Sequence, residues 1–561
     1  MNNDAPPTTW PGSMTAERRV LDHQIKLHRW ARNEPDRRFD DVFNLICDRA
    51  TLLVAWERVS GNRGARTAGV DAVTRYHVEE RQGVIPFLEE LRSSLKDGSF
   101  TALPVKQAVI PKKNGKVRYL GIPTLRDRVA QMALKLVLEP IFEVDFYPSS
   151  YGYRPGRRAQ DAIAEIHHFT CKPSTYEWVI EGDIKACFDN VDHHVLMDLV
   201  AERVKDRKVL RLVSAFLRAG VVEMHGGFAE TLTGTPQGGV ASPLLANIYL
   251  SVLDRHFSRI WDTEMTPPWR RQYRRRMGRP NFRLVRYADD FIVLVHGTKS
   301  EAEALKAEIG ELLARRLKMT LSVEKTHITH IDDGFVFLGF HIQRRSWGDG
   351  RRVVLTIPSK QALASVMHKI KKLTGRSTTS LSLEEVLRTV NPVLRGWAAY
   401  FRYGASKKTF SYLGWYAWWR LIHWIRYKHP RVTWKQVAPP LLRGGPHHGG
   451  RTRPLQSGED AGRALPLPRS EDQHALQHRR GQSGRSTFSP DQPRRCGLRR
   501  PGQRIPRLIH RITWRAGCSA NGHVRFGGRG WENRHRKRCT ASRPRPNISH
   551  CRATAPQPCS R

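Results

Sequence analysis

The stretch FRLVRYADDFIVLVHG, residues 282–297, sets two apolar runs on either side of a short acidic break. Runs rich in Val, Ile, Phe and Tyr read as strands, and the break between them reads as a hairpin turn. That turn holds Asp289 and Asp290. A second segment, EWVIEGDIKACF (177–188), begins as a buried strand and ends in a polar turn after Asp183. Acids at the end of an apolar strand are costly unless a cation neutralises them. Hard divalent cations prefer carboxylate oxygens, and Mg²⁺ typically takes one or two of them plus substrate phosphates. Three carboxylates meeting at adjacent strand ends suit two metals about 4 Å apart. One would lower the pKa of an attacking hydroxyl; the other would hold a triphosphate and stabilise the leaving pyrophosphate. An Asp-Asp pair is also ordinary turn chemistry. The combination of YADD between apolar strands with GDIKACFD is more specific than either alone.

Outward from this pair, AVIPKKNGKVRYLGIP (108–123) reads as a β-hairpin turning at Asn114-Gly115. Lys112 and Arg118 flank its tip, a point charge and a planar fork that both suit phosphate oxygens; Lys113 and Lys116 fit a solvated or template-facing role. GTPQGGVASPLLANIYL (234–250) is a Gly/Pro loop feeding a helix. Helices are expected around 39–58, 84–97, 125–142, 193–218 and 300–316, and a further strand at 335–342. Residues 1–60 otherwise read as polar N-terminal sequence. From about 355 the pattern is all helical, with Leu363, Val366, Met367, Ile370 and Leu373 at helical spacing. Ser382 and Glu385 fit a capping box, Gly404 a helix end and Ser406 the next N-cap. The last helix should stop shortly before Pro430.

The 561-residue chain carries 95 Lys+Arg against 52 Asp+Glu, a formal charge of +43, which points to a polyanionic partner, nucleic acid first. A small-molecule enzyme would not need so positive a field. The charge divides at about Val437: residues 438–561 hold 26 Lys+Arg and 6 Asp+Glu, or +20, leaving +23 for residues 1–437. The tail has a single lysine, Lys537, and neither Tyr nor Met. Apolar runs are too short for a membrane span, and the N-terminus shows no signal segment. The eight cysteines form no CxxC pair, so neither structural zinc nor disulfides are demanded, and an intracellular, reducing location is the default.

Eight ordered motifs resemble the group II intron reverse transcriptase/maturases over about residues 61–437. They are GVDAVT (69–74), PKKNGKVRYLGIPTLRDRVAQ (111–131), YGYRPGRRAQDAI (151–163), GDIKACFDNVDH (182–193), the 234–250 loop, RYADDFIVL (286–294), LSVEKT (321–326) and FVFLGFHI (335–342). The resemblance implies an α+β right-hand polymerase of fingers, palm and thumb with a helical maturase domain; the C-terminal tail beyond it reads as disordered from its composition. The expected divisions are an N-terminal extension (1–60), a fingers-rich part (61–175) and a palm-rich part (176–345) of the reverse transcriptase domain, a thumb/maturase region (346–437) and an Arg/Pro/Gly-rich tail (438–561). Asp183, Asp289 and Asp290 match the family's metal-binding aspartates, with the backbone carbonyl of Ile184 as a further ligand to two Mg²⁺ ions.

The same resemblance makes Lys112 and Arg118 dNTP-binding residues. It makes Phe188 the aromatic gate that excludes a ribose 2′-OH by size, with core packing as the alternative. Gln237 would bond the incoming sugar or base, and Lys325 would stand near the pyrophosphate as a general acid, although lysine is most often a solvated surface residue. FVFLGFHI matches the primer-positioning hairpin. In residues 393–428 the rings at period 3.6 read mostly as core between helices. Arg395, Arg402, Lys407, Lys408, Arg420 and Arg426 are the candidate RNA contacts. The implied function is an RNA-directed DNA polymerase, a Mg²⁺-dependent nucleotidyltransferase of a mobile element, that copies intron RNA and assists mRNA splicing. Its partners would be intron RNA, DNA primer or target and dNTPs, with no membrane. Two alternatives stand beside it: an RNA-binding splicing cofactor that does not polymerise, and a domesticated reverse transcriptase in defence or diversification. The tail departs from the family pattern, because no HNH endonuclease core is recognisable in it. It reads either as a disordered or nonspecific nucleic-acid-binding segment, or as an out-of-frame translation that the other reading frames of the gene would reveal.

Overall fold

The computed structural model describes residues 9–111, 115, 117–223, 227–229, 233–235, 238–346 and 350–431. The expectations for Lys112, Asn114, Gln237 and the tail after 437 lie outside these residues.

Eleven strands are described. They are β1 (Val105–Pro111), β2 (Val117–Ile122), β3 (Trp178–Asp183), β4 (Val221–Val222), β5 (Phe228–Ala229), β6 (Asn281–Tyr287), β7 (Asp290–His296), β8 (His327–His330), β9 (Phe335–Phe337), β10 (Phe340–Ser346) and β11 (Arg352–Pro358). They form three sheets, ordered β2-β1-β4-β5, β6-β7-β3-β8 and β11-β10-β9. The second sheet is antiparallel throughout and central to the molecule. Both of its faces are covered, which is why β7 is apolar at every interior position rather than alternating. Phe291, Val293 and Val295 join one core with Leu244, Leu245, Ile248, Leu305 and Ile309. Ile292 and Leu294 point the other way, into a core with Ile163, Ile166, Phe335, Phe340 and Ile342. A third core lies among the helices Lys360–Leu373, Leu383–Phe401 and Lys407–Lys428, around Ile370, Val390, Leu413, Leu421 and Trp424. Among the described residues no helix is long and apolar enough to cross a membrane.

Local signals are realised closely. The helices Val84–Asp97 and Leu125–Phe142 keep the expected bounds, and Ser382 and Glu385 form a reciprocal capping box. The 108–123 hairpin forms with Ile110 opposite Arg118. The helices expected over 39–58 and 193–218 are each broken in two, into Phe43–Ile46 and Arg49–Ser60 and into His193–Ala201 and Arg207–Leu217, and three further features differ. Ser13–Asn33 is a long helix, not plain polar sequence; only Ala16, Val20, Leu27 and Ala31 of it are buried, too sparse a stripe to stand out. The segment 335–342 is two strands, not one, because Leu338 (φ 48°) and Gly339 (φ 80°) make a two-residue turn between Phe337 and Phe340. Positive φ at both central positions is the geometry that tight hairpins favour. Arg352–Pro358 is a strand paired along β10, so the helical region begins at Lys360.

The PTLRDRVAQ segment acts as an anchor. Buried Arg128 donates to the carbonyls of Pro123, Gly64 and Thr67 at 2.8, 2.7 and 2.7 Å, tying the 61–74 loop to the helix Leu125–Phe142. Its neighbour Asp127 is also buried. One of its carboxylate oxygens accepts the Leu103 N–H at 3.2 Å, while the other has no partner among the described residues. Burial pushes this carboxyl up to about 6. A native pKa above the unfolded one means that the folded protein binds the extra proton between the two values. The group's contribution is therefore fully present below the unfolded pKa, near 4, and is lost as pH rises through about 6. Asp127→Asn is expected to be more stable than the wild type at pH 7.5 by about 1–3 kcal/mol, since a tenfold change in proton affinity on folding is worth roughly 1.4 kcal/mol. The gain should vanish by pH 4. Urea unfolding at pH 4.0, 5.5 and 7.5 reads it; a gain independent of pH would contradict the assignment.

Candidate active site

β3 and β7 pair with Asp183 opposite Asp290, and β6 and β7 pair with Tyr287 opposite Asp290, so Ala288 and Asp289 form the turn. Register alone therefore brings the three predicted aspartates to one end of the central sheet. Asp290 keeps an exposed edge. The protein packed around its carboxyl, then the charges of Asp289 and Asp183, push it up to about 6. Lys325, on the loop before β8, donates to Asp183 Oδ2 at 2.8 Å, and that bond raises the lysine's own pKa. Ile184 makes a bridge with Leu321 in which its neighbours do the bonding: Lys185 N–H to the Thr320 carbonyl and Ser322 N–H to the Asp183 carbonyl, at 3.0 and 2.8 Å. Strand groups alternate in direction, so the Ile184 carbonyl faces the edge that carries the Asp289–Asp290 turn.

The turn is held from beneath by a network that the sequence reading did not identify. Arg286 and Asp254 are both fully buried and form an ion pair at 2.5 and 2.8 Å. The same guanidinium donates to Asn247 Oδ1 (3.0 Å), Ser150 Oγ (2.7 Å) and the Ala288 carbonyl (2.9 Å). Ala288 sits at φ 59°, a left-handed conformation that costs a non-glycine residue of order 1 kcal/mol. Gly152 passes so close behind the turn that a Cβ there would stand 2.3 Å from the Ala288 nitrogen. Its carbonyl accepts from Asn247 Nδ2 at 2.8 Å. YGYRPGRR and the Arg of RYADD together form the seat of the acidic turn.

Around this centre, Phe188 is buried, and its carbonyl accepts the Thr235 N–H at 2.7 Å, docking the 233–235 segment onto the turn after Asp183. His193 reinforces that junction through a 2.7 Å bond to the Gly234 carbonyl. Arg118 is exposed on β2. Half-exposed Tyr153 feels the charges of Asp289 and Arg118 with opposite sign, which puts both within electrostatic reach of its hydroxyl. Tyr153 received no role from sequence, although it stands within the YGYRPGRR motif.

The helical candidates divide. Arg395, Arg402, Lys407, Lys408 and Arg426 are exposed, and Arg402 bonds the Tyr403 hydroxyl at 2.6 Å. Arg420 instead donates to the Thr374 hydroxyl and carbonyl at 3.2 and 2.9 Å, stapling two helices. Trp418 and Trp424 are core, while Tyr403, Tyr412 and Trp415 keep exposed faces.

Among the described residues no three carboxylate, His or Cys side chains stand close enough to cage one ion. The acidic end nevertheless fits Mg²⁺, which is commonly held through one or two carboxylates with substrate phosphates completing its shell. The charges of Asp289 and Asp183 beside Asp290 would favour a cation there.

Residues 110–342 match the family described as reverse transcriptase (RNA-dependent DNA polymerase). Residues 363–439 match the group II intron maturase-specific domain. Protein YkfC of Escherichia coli K12 is 37% identical over 359 residues, covering 61% of this chain and 93% of YkfC. The chain belongs to the group II intron-encoded reverse transcriptase/maturase family. Group II intron-encoded protein LtrA of Lactococcus lactis is 34% identical over 361 residues, 56% of this chain and 59% of LtrA, so the match spans under two thirds of that relative. A plant relative, nuclear intron maturase 1 of Arabidopsis thaliana, is 29% identical over 306 residues, 41% of this chain and 42% of its own length. In this family's terms the acidic end of the central sheet lies within the reverse transcriptase match, and the three-helix core within the maturase match.

Proposed function

We propose that the chain is an RNA-directed DNA polymerase that copies group II intron RNA, and that it also assists splicing of that RNA. The observation that carries this is the register of β3, β6 and β7, which gathers Asp183, Asp289 and Asp290 at one strand end. In this reading β1 and β2 belong to the fingers, the central sheet to the palm, and the helices after Lys360 to a thumb/maturase region. The divisions near 60, 175, 345 and 437 are part of the same proposal.

Asp183, Asp289, Asp290 and the Ile184 carbonyl would hold two Mg²⁺ ions. Bound there, the ions would activate the primer 3′-hydroxyl and neutralise charge on the triphosphate. Arg118, with Lys112, would clamp phosphate oxygens. Lys325, kept protonated by Asp183, would be released as that carboxylate took a metal, and would then stand ready to donate a proton to the leaving pyrophosphate. Phe188 would close the space beneath the sugar, and Gln237 would bond the nucleotide from its loop. Phe188→Ala is expected to raise NTP incorporation relative to dNTP by on the order of 10²-fold, as expected when a steric exclusion is lifted. Single-nucleotide addition on an RNA template measures the ratio; an unchanged ratio would assign Phe188 to packing alone.

The maturase role follows from binding the splicing-active RNA conformation more tightly than its alternatives, a population shift that leaves the chemistry to the RNA. Arg395, Arg402, Lys407, Lys408 and Arg426 present charge for it, and Arg420 contributes mainly by holding its two helices together. An intracellular site of action, alongside nucleic acid, completes the reading. Two assays test it: RNA-templated dNTP incorporation by the full chain, and self-splicing of the adjoining intron RNA at low Mg²⁺ with and without the protein. Splicing assistance without incorporation would favour a non-polymerising cofactor.

A further inference from the structure

The helix Pro268–Arg276, PWRRQYRRR, stands between the helix ending at Ile260 and strand β6, and carries five arginines and no acid. Several arginines are occupied. Arg274 is buried and paired with Glu264, Arg275 lies 2.9 Å from Glu301, and Arg271 donates to the Met265 carbonyl at 2.7 Å. The outer face is different. Trp269 is 62% exposed and Tyr273 54%, and Met277, just past the helix end, is 57% exposed. Residues four apart stack on one side of a helix, and Arg276, three beyond Tyr273, shares that side. Arg276 is exposed and has no ion-pair partner among the described residues. The Arg270 guanidinium lies 5.3 Å from the Trp269 ring centre and also donates to the Thr263 carbonyl, and exposed Arg279, which follows the helix, stands 4.0 Å from Glu264.

Two large rings on one side of a helix, left in water and framed by arginine, offer a stacking platform with its own phosphate contacts. Its charge excludes a basic partner, and its rings call for flat, accessible π-faces, which unpaired bases offer and paired ones do not. Its position separates it from the acidic site. The helix is tied to the start of β6, through Asn281 Nδ2 to the Arg271 carbonyl and Arg274 to the Pro280 carbonyl, both at 3.0 Å. The aspartate turn lies at the other end of that strand, about 20 Å away at roughly 3.3 Å per residue. A base stacked here is therefore not the one paired at the aspartates.

We infer that the Trp269, Tyr273 and Arg276 face docks an unpaired segment of RNA outside the polymerising cleft, an inference that rests on the polymerase reading above and extends it. The test uses the full chain with its cleft loaded by excess annealed RNA template and DNA primer. A labelled, unstructured 20-nucleotide RNA is then titrated in. Trp269→Ala combined with Tyr273→Ala is expected to weaken its binding by on the order of 10-fold or more, and Arg276→Gln to lower the salt dependence by about one contact. Ultraviolet crosslinks should map to residues 268–279, and primer extension by these variants should stay within about twofold of wild type. Wild-type binding by the double variant, with crosslinks elsewhere, would overturn the inference. So would equal binding of single-stranded DNA through the same residues, or a change in self-association with RNA binding intact. A wild type that binds the RNA but extends no primer would instead sink the polymerase reading.

Discussion

Asp289→Ala should reduce RNA-templated incorporation by on the order of 10³-fold or more, the scale seen when a group stabilising transition-state charge is removed from a polar active site. Its loss should not come from unfolding. Asp289 contributes to the repulsion that holds Asp290 up near 6, so removing its charge relieves the native state at neutral pH. The variant is expected to melt no lower than wild type at pH 8 without divalent cations. Added Mg²⁺ should stabilise the wild type and leave the variant nearly unmoved, because a ligand that binds only the native state shifts stability in proportion to its affinity. A variant that loses activity only as it loses its melting transition would return Asp289 to a structural role.

The second large effect belongs to Arg286. Arg286→Met breaks a fully buried ion pair and leaves Asp254 charged and unpaired, with the Ala288 carbonyl losing its donor. Breaking such a pair from one side costs about 3–5 kcal/mol, enough to threaten the fold of a marginally stable chain. The informative protein is the double variant, Arg286→Met with Asp254→Leu. Replacing both charges by apolar groups can be nearly neutral for stability, so most of the melting temperature should return. Incorporation should not, because nothing then holds the strained turn at Ala288, and misplacing the aspartates by even 1 Å can cost about 10²-fold. Recovery of both stability and activity in the double variant would show that the turn needs no such anchor.

Short-range features were legible in the sequence because their cause is short-range. The acidic turn, the capping box at Ser382 and the hairpin of β1 and β2 each depend on a few consecutive residues. The convergence of Asp183 with Asp290 is long-range, yet it was legible through the ordered motifs of the family. Arg286 was not, because its partners Ser150, Asn247 and Asp254 come from separate segments, two of them outside the motifs, each polar residue reading locally as a helix or loop surface group. The hairpin at Leu338 was hidden for another reason: Phe335, Phe337 and Phe340 supply an apolar pattern that runs straight through the turn. The Ser13–Asn33 helix buries only four small or aliphatic residues, too few for its period to show against its charged surface. Several aromatic residues after 393 followed the expected rule, with Phe401, Trp418 and Trp424 buried, while Tyr403 and Trp415 stayed exposed. Arg420 departed from it, since a helix-to-helix staple cannot be told from an RNA contact by composition.

One measurement bears most directly on the claim that this acidic strand end is a metal-dependent polymerase site. The full chain is given an RNA template, an annealed DNA primer and the four dNTPs, in Mg²⁺ or in EDTA, beside the Asp289→Ala protein. The primer should be extended to the template's end only by wild type in Mg²⁺. A folded wild type that leaves the primer unextended in Mg²⁺, or an Asp289→Ala protein that extends it equally well, would contradict the account.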